Sequence, residues 1–316
     1  MRAVRTIAVI NQKGGVGKTT TVANLGAAIA SRGRRTCLID LDPQSHLTLH
    51  LGTEPGAPEH GMYDVLTADV PIGRAVLAVA ENLWLVPSEI DLAAAEVELA
   101  GAVGREQILR DRLAQEHLPY EFAMIDCPPS LGLLTLNALA AADDVLIPLQ
   151  PHFLALQGLG KLLETVCLVQ RRLNAKLRVS GIVLCMYEST TRLAGEVAAD
   201  LQEFFVAARH TATPWAKTRI YRTVIRRNVK LAECPSHGTT IFQYEPHSHG
   251  AEDYDHLAEE FFECLSAEPA RPAEAATAPP NPEQQGERST PPVQTSRRPT
   301  PLHQVNPDEP VSPLQP

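Results

Sequence analysis

The chain has 316 residues, 44% of them hydrophobic, with a formal net charge of −9; this length allows one large α/β domain or two small ones around a sizeable core. Its six cysteines, at 37, 127, 167, 185, 234 and 264, form no C-x-x-C pair, which argues against zinc ribbons, redox pairs and disulfide scaffolds. No apolar run reaches the ~18 residues needed to cross a bilayer, and the N-terminus runs straight into a strand, so neither a membrane span nor a signal peptide is expected and the expected compartment is the cytoplasm.

The first apolar, β-branched run predicts a buried strand over 5–10. Lys13-Gly14-Gly15-Val16-Gly17-Lys18-Thr19-Thr20 follows, and then an Ala/Leu-rich run that predicts a helix over 18–32. Strand, glycine loop and helix in that order are the setting of a phosphate-binding loop. Glycines let the backbone wrap a phosphate, and the N–H groups of the helix N-terminus point at the anion. Lys18 then supplies a point charge to the β/γ-phosphates, and the Thr19 hydroxyl is a candidate Mg²⁺ ligand. The chain is therefore expected to hold a nucleoside triphosphate on residues 13–20. In the usual pattern G-x-x-x-x-G-K-[ST] the first glycine would fall on Gln12, and a second lysine, Lys13, heads the loop. One lysine suffices for the β/γ-phosphates of its own chain. Lys13 suggests a charge that reaches another phosphate surface, across a subunit interface; a solvated lysine beside a turn is the alternative.

A strand predicted over 35–40 ends in Asp40-Leu41-Asp42-Pro43-Gln44. Acids two residues apart on a strand end point to the same side. One is a candidate to hold a Mg²⁺ water and the other to orient an attacking water; the alternative is a pair of loop carboxylates. A strand over 83–87 and helices over 89–100 and 104–116 come next. The strand over 121–126 ends in Asp126-Cys127-Pro128-Pro129-Ser130, where apolar residues lead to a carboxylate placed to assist a metal. The proline pair turns the chain, and Ser130 is a candidate cap for a helix over 131–142. Strands over 144–149, 179–186 and 218–225 alternate with helices over 153–173, 193–208 and 252–265. Apolar strands separated by helices predict an α/β fold, a doubly wound, mostly parallel sheet with helices on both faces. Ligands then sit beyond the carboxyl ends of the strands, where these polar residues lie.

Between Phe204 and Ala232 there is no Asp or Glu, yet Arg209, Lys217, Arg219, Arg222, Arg226, Arg227 and Lys230 are present. A one-sign stretch suits DNA phosphates despite the negative total charge. No base-reading element accompanies it, so non-specific binding is expected; a solvated face, or residues committed to the nucleotide, is the alternative. His247 and His249 lack a third ligand and read as surface residues. After Ser266, 13 of the 26 prolines fall within 50 residues, which predicts a folded domain over 1–266 and a disordered tail over 267–316. Arg297-Arg298-Pro299 is a candidate short motif within it.

Together N-Q-K-G-G-V-G-K-T-T, D-L-D-P-Q, D-C-P-P-S, Ala138–Asp143, Ala155–Leu159 and Arg227–Gly238 closely resemble the ParA/Soj partition ATPases of the MinD/ParA superfamily, over about residues 4–265. The resemblance implies a P-loop NTPase-type fold and a deviant Walker A ATPase that closes as a homodimer around Mg²⁺-ATP. It makes Lys13 the lysine that reaches the partner's ATP, Lys18 the loop lysine and Thr19 the Mg²⁺ ligand. Asp42 becomes the acid linked to hydrolysis with Asp40 beside it, and Asp126 the Walker B acid. Arg227 and Asn228 resemble the segment near the adenine. The family's ATP-bound dimers bind DNA without sequence preference, and a ParB/Spo0J-type partner stimulates slow hydrolysis to reset them. Such a protein is cytoplasmic and nucleoid-associated, and serves chromosome or plasmid segregation.

Three departures stand out. Arg226 replaces a common proline, Gln157 stands where Glu is common, and the arginine tied to DNA binding in relatives is displaced to Arg192. The expected DNA-binding set is therefore Arg192, Arg219, Arg222, Arg226, Arg227 and Lys230. A MinD-like membrane regulator would need a basic last helix, but residues 251–266 carry Glu252, Asp253, Asp255, Glu259, Glu260 and Glu263. An iron–sulfur reductase would need cysteines placed to bridge a cluster, and only Cys127 follows a strand end. A positioning ATPase with a protein cargo is the remaining alternative.

Overall fold

The computed structural model describes residues 4–116, 119–152, 155–189 and 191–267. The tail expected over 267–316 lies outside the described residues from 268 onward. The sheet grows outward from β1 (Arg5–Val9), whose last four residues are buried and so are covered on both faces. α1 (Lys18–Ser31) follows, then β2 (Thr36–Asp40), α2 (His46–His50) and α3 (Met62–Thr67). β3 (Leu77–Ala80) and β4 (Leu83–Val86) form a hairpin, followed by α4 (Leu92–Glu98) and α5 (Ile108–Gln115). Then come β5 (Phe122–Asp126), α6 (Leu133–Ala141), β6 (Asp144–Leu149), α7 (Ala155–Arg172), β7 (Arg178–Tyr187) and α8 (Arg192–Ala208). The described chain closes with β8 (Arg219–Ile220), β9 (Ile225–Arg226), α9 (Val229–Glu233), α10 (Ile241–Tyr244) and α11 (His249–Ser266).

The strand order is β3-β4-β2-β5-β1-β6-β7-β8, with β9 added to the end of β7. Every pairing is parallel except β3 with β4. Alternation along the strands feeds two cores. Ile7 and Val9 of β1 pack with Val22, Leu25 and Ile29 of α1 and Tyr254 and Leu257 of α11. Ala8 faces the opposite core, built with Val65 of α3, Leu109 of α5, Leu139 of α6, Leu162 of α7 and Leu201 of α8. This is the doubly wound sheet that the pattern of runs predicts. Register sets Val9 and Asp40 both opposite Asp126, so β1, β2 and β5 end level and open onto one shared rim.

The structure departs from the expected elements in three places. The strand expected over 218–225 is two two-residue strands on different parts of β7, because the chain leaves the ladder between them after Tyr221, whose N–H still donates to the Ile182 carbonyl. β3 was not expected; its half-exposed pattern is that of a sheet edge. α2, α3, α9 and α10 have four to six residues each, too short for a helical period to register. Among the described residues no helix is long and apolar enough to cross a membrane.

Candidate functional site

The loop between β1 and α1 lies on the shared rim. Gly15 and Gly17 have φ of +71° and +93°, a left-handed backbone that strains any residue with a β-carbon. Gly17 is also the N-cap of α1 and supplies no side-chain cap, so the helix's first donors are left for an anion. Lys18 is 7% exposed, and its Nζ reaches back to the Lys13 carbonyl at 3.4 Å. Burial lowers the Lys18 pKa, and the charges of Asp126 and Asp42 oppose that shift.

Thr19 Oγ1 donates to Asp126 Oδ2 at 2.7 Å. The other oxygen, Asp126 Oδ1, is buried and has no hydrogen-bond partner among the described residues. Burial, and then the charge of Asp40, push the Asp126 pKa well up. A hydroxyl beside a buried carboxylate with an unsatisfied oxygen is a donor set suited to a hard divalent cation. Thr19 and Asp126 therefore fit Mg²⁺.

The two acids after β2 part company. Asp40 is fully buried; its Oδ2 accepts from Thr48 N and Oγ1 at 2.8 and 2.7 Å, and its Oδ1 accepts from Asp42 N at 3.2 Å. Burial raises its pKa to about 7. Both of its oxygens are thus occupied in tying α2 and the Asp42 turn to the end of β2. Asp42 Oδ1 accepts from Gln44 N at 3.0 Å, and its charge acts on Lys18 and Asp126. Ser88 closes the turn by donating its hydroxyl to the Asp42 carbonyl at 2.8 Å, while its N–H donates to Thr48 Oγ1 at 2.9 Å. Sequence reasoning missed Thr48 and Ser88, because no local pattern links them to Asp40.

Lys13 is exposed and turns toward the loop after β6. Its Nζ lies 2.6 Å from His152 Nε2 and 3.5 Å from Gln150 Oε1. Asn11 braces the same loop by donating to the Pro148 carbonyl at 2.8 Å and accepting from Lys13 N at 3.0 Å. Arg227 and Asn228 follow β9, which pairs with β7 at Cys185 and Tyr187. Cys185 in turn packs behind Gly17, its Cβ 3.7 Å from where a glycine-17 β-carbon would stand. The structure thereby brings 227–228 to the same end of the sheet as the loop.

The basic set behaves differently from its sequence. Acid-free in the chain, it is not acid-free in space. Arg222 pairs with Glu263 at 2.8 Å and with Glu260, Arg226 with Glu252 at 2.6 Å and with Asp253, and Arg227 with Glu188 at 3.1 Å. Lys230 pairs with Glu233 at 2.9 Å and Arg192 with Glu196 at 2.8 Å. Most of these acids belong to α11, which folds back along β8 and β9. The one-sign patch expected from the segment is thus largely neutralised by tertiary partners. Arg209, Lys217 and Arg219 carry no ion pair among the described residues. Nothing in the structure explains Gln157, which is exposed on α7.

The AAA domain family matches residues 4–179. The chain is 46% identical over 255 residues to the sporulation initiation inhibitor protein Soj of Bacillus subtilis, covering 80% of this chain and 96% of that protein. It is 43% identical over 257 residues to the chromosome-partitioning ATPase Soj of Treponema pallidum, covering 81% and 96%. Among solved structures, the cobyrinic acid a,c-diamide synthase of Mycobacterium smegmatis with bound ATP analogue and magnesium is similar, with a TM-score of 0.70. It is 37% identical and covers 84% of this chain and 96% of that one.

Proposed function

The chain belongs to the Soj/ParA family of chromosome-partitioning ATPases, and we propose that it is a Mg²⁺-ATP-driven partition switch. ATP binds at the β1–α1 loop, the ATP-bound chain closes as a homodimer, and that dimer holds DNA without sequence preference. A ParB-type partner stimulates hydrolysis and so releases it. The compartment is the cytoplasm, with the ATP state on the nucleoid.

One observation carries the reading: the buried, unsatisfied Asp126 Oδ1 beside the Thr19 hydroxyl at the mouth of an uncapped helix N-terminus. Thr19 and Asp126 would hold Mg²⁺, which supplies charge neutralisation on the β- and γ-phosphates. Lys18 adds a fixed positive charge in a partly dry site, where it acts more strongly than in water. Asp42 orients the attacking water. Asp40, expected among the metal groups, is assigned instead to holding the Asp42 turn, since its own oxygens are taken. Lys13 serves the partner's phosphates and leaves the His152 and Gln150 contacts on dimer closure. Gly14, Gly15, Val16, Gly17 and Thr20 shape the phosphate cradle, and Arg227 and Asn228 face the nucleoside.

An amide-forming activity, suggested by the name of the mycobacterial structure, has no second observation behind it; the more similar curated relatives carry partition names. A protein-cluster cargo is the second reading, and the acid pairing of Arg222, Arg226, Arg227 and Lys230 favours it. DNA contact then rests on Arg209, Lys217 and Arg219. Substituting these three together with Ala separates the two readings. DNA affinity lost from the ATP state, with turnover kept, supports the DNA-bound switch; an unchanged affinity and salt slope contradicts it.

A further inference from the structure

Arg226 stands where the resemblance leads proline to be expected, and its surroundings give it a specific use. Its main-chain N–H donates to Asp253 Oδ2 at 2.9 Å, its Nε to Asp253 Oδ1 at 2.9 Å, and its Nη2 to Glu252 Oε2 at 2.6 Å. Asp253 is only 5% exposed. A buried carboxylate gripped by both a main-chain N–H and a guanidinium is a stiff, directional link. Proline offers neither the N–H nor the charge.

The link joins β9 to the first turns of α11, and that part of α11 touches the nucleotide region on two sides. A β-carbon on Gly250 would fall 3.1 Å from Asn228 Nδ2 and 2.8 Å from Leu231 Cγ, so helix and 227–231 segment are in close contact. The Tyr254 hydroxyl, next along the helix from Asp253, meets Thr21 Oγ1 of α1 at 3.2 Å. The start of α11 thus bridges the helix that carries the phosphate loop and the segment that carries Arg227 and Asn228. β9 also has anchors other than the Arg226 side chain: Ile225 is buried, and the strand's backbone is paired with β7.

We propose that Arg226 is a positioning residue for the nucleoside end of the nucleotide. Its clamp on Asp253 and Glu252 fixes the Arg227–Asn228 loop relative to α1, so base and ribose are received where the phosphates already sit. The proposal rests on the reading of Arg227 and Asn228 as the nucleoside side of the site, and it removes Arg226 from the DNA-binding set.

The test compares binding of ATP and of inorganic tripolyphosphate, each with Mg²⁺, to the full chain. The variants are Arg226→Ala, Arg226→Lys and Asn228→Ala, each checked for an unchanged melting temperature. Arg226→Ala should weaken ATP roughly tenfold and leave tripolyphosphate unchanged, because only the nucleoside feels the loop. Arg226→Lys should recover part of the loss, since an ammonium cannot grip two acceptors as a guanidinium does. Equal losses for both probes, or no loss for either, overturns the proposal. Asn228→Ala separates the two readings. If the ATP-to-tripolyphosphate gap survives in Asn228→Ala, the nucleoside-side assignment fails and the proposal with it. If the gap closes in Asn228→Ala but survives in Arg226→Ala, the clamp alone is refuted. A fall in DNA affinity at saturating ATP in Arg226→Ala, with ATP affinity intact, would return Arg226 to the DNA surface and also overturn it.

Discussion

Burial disfavours the charge on Lys18, at a helix N-terminus, while Asp126 and Asp42 support it. An arriving phosphate satisfies it. Lys18→Ala should therefore weaken ATP by roughly 10- to 150-fold, the value of one charge-assisted hydrogen bond; a titration showing unchanged affinity would take Lys18 out of the site. Asp42 is the freer of the two acids after β2. Asp42→Ala should keep ATP binding and lower turnover by roughly 10²- to 10⁴-fold, leaving the ATP state to accumulate; single-turnover kinetics at the wild-type rate would exclude it from the chemistry. His50, at the end of α2, has a different consequence. Both ring nitrogens are buried without a hydrogen-bond partner among the described residues, and burial lowers the pKa to about 4. Between about pH 6.5 and 4 the unfolded chain binds a proton that the folded chain refuses, so stability falls as pH falls through that window, by about 3 kcal/mol at most. Asp40, with its raised carboxyl, acts in the opposite sense. Comparison with His50→Leu isolates the histidine: the wild type should lose more melting temperature between about pH 7 and 5 than the variant does, and equal losses would show that His50 is not the group responsible.

At the scale of elements, legibility followed locality. The phosphate loop could be read from eight consecutive residues because strand, glycines and helix are adjacent in the chain. Asp126 stands out because it ends an apolar strand, and Asp42 because it lies two residues beyond Asp40, which ends another. The tether on Asp40 could not be read, since Thr48 comes from α2 and Ser88 from the loop after β4. The acidic partners of the basic segment were hidden for the same reason: Glu252, Asp253, Glu260 and Glu263 arrive from a helix 20 or more residues later. Arg226 reads as a DNA contact in one dimension and as a clamp in three. The contact of α1 with β2 was equally silent. A β-carbon on Gly26 would lie 2.5 and 3.2 Å from the two methyls of Leu38 and 3.4 Å from its Cγ, so no rotation of that buried side chain clears the space. Gly26→Ala, usually favourable in a helix, should instead lower stability by about 1–3 kcal/mol through overpacking; a denaturant midpoint at or above that of wild type would contradict the tight seating of α1.

The whole molecule presents its nucleotide loop, Lys13 and the loop after β6 on one rim, while the acid-paired cations lie along α11 and β9. Lys13 is exposed and reaches toward His152, away from its own loop's interior. Lys13→Ala should keep measurable ATP binding and lose ATP-dependent dimerisation, and a variant that still dimerises fully with ATP in light scattering would refute the trans role. The central claim is that nucleotide state controls attachment to DNA. The most direct test is binding of the full chain to a non-specific duplex at low and moderate salt, with no nucleotide, with ADP, and with a slowly hydrolysed ATP analogue. Salt-sensitive binding confined to the ATP-analogue state is the expected result. Equal binding in all three states, or none in any while ATP-dependent dimerisation is intact, would contradict it.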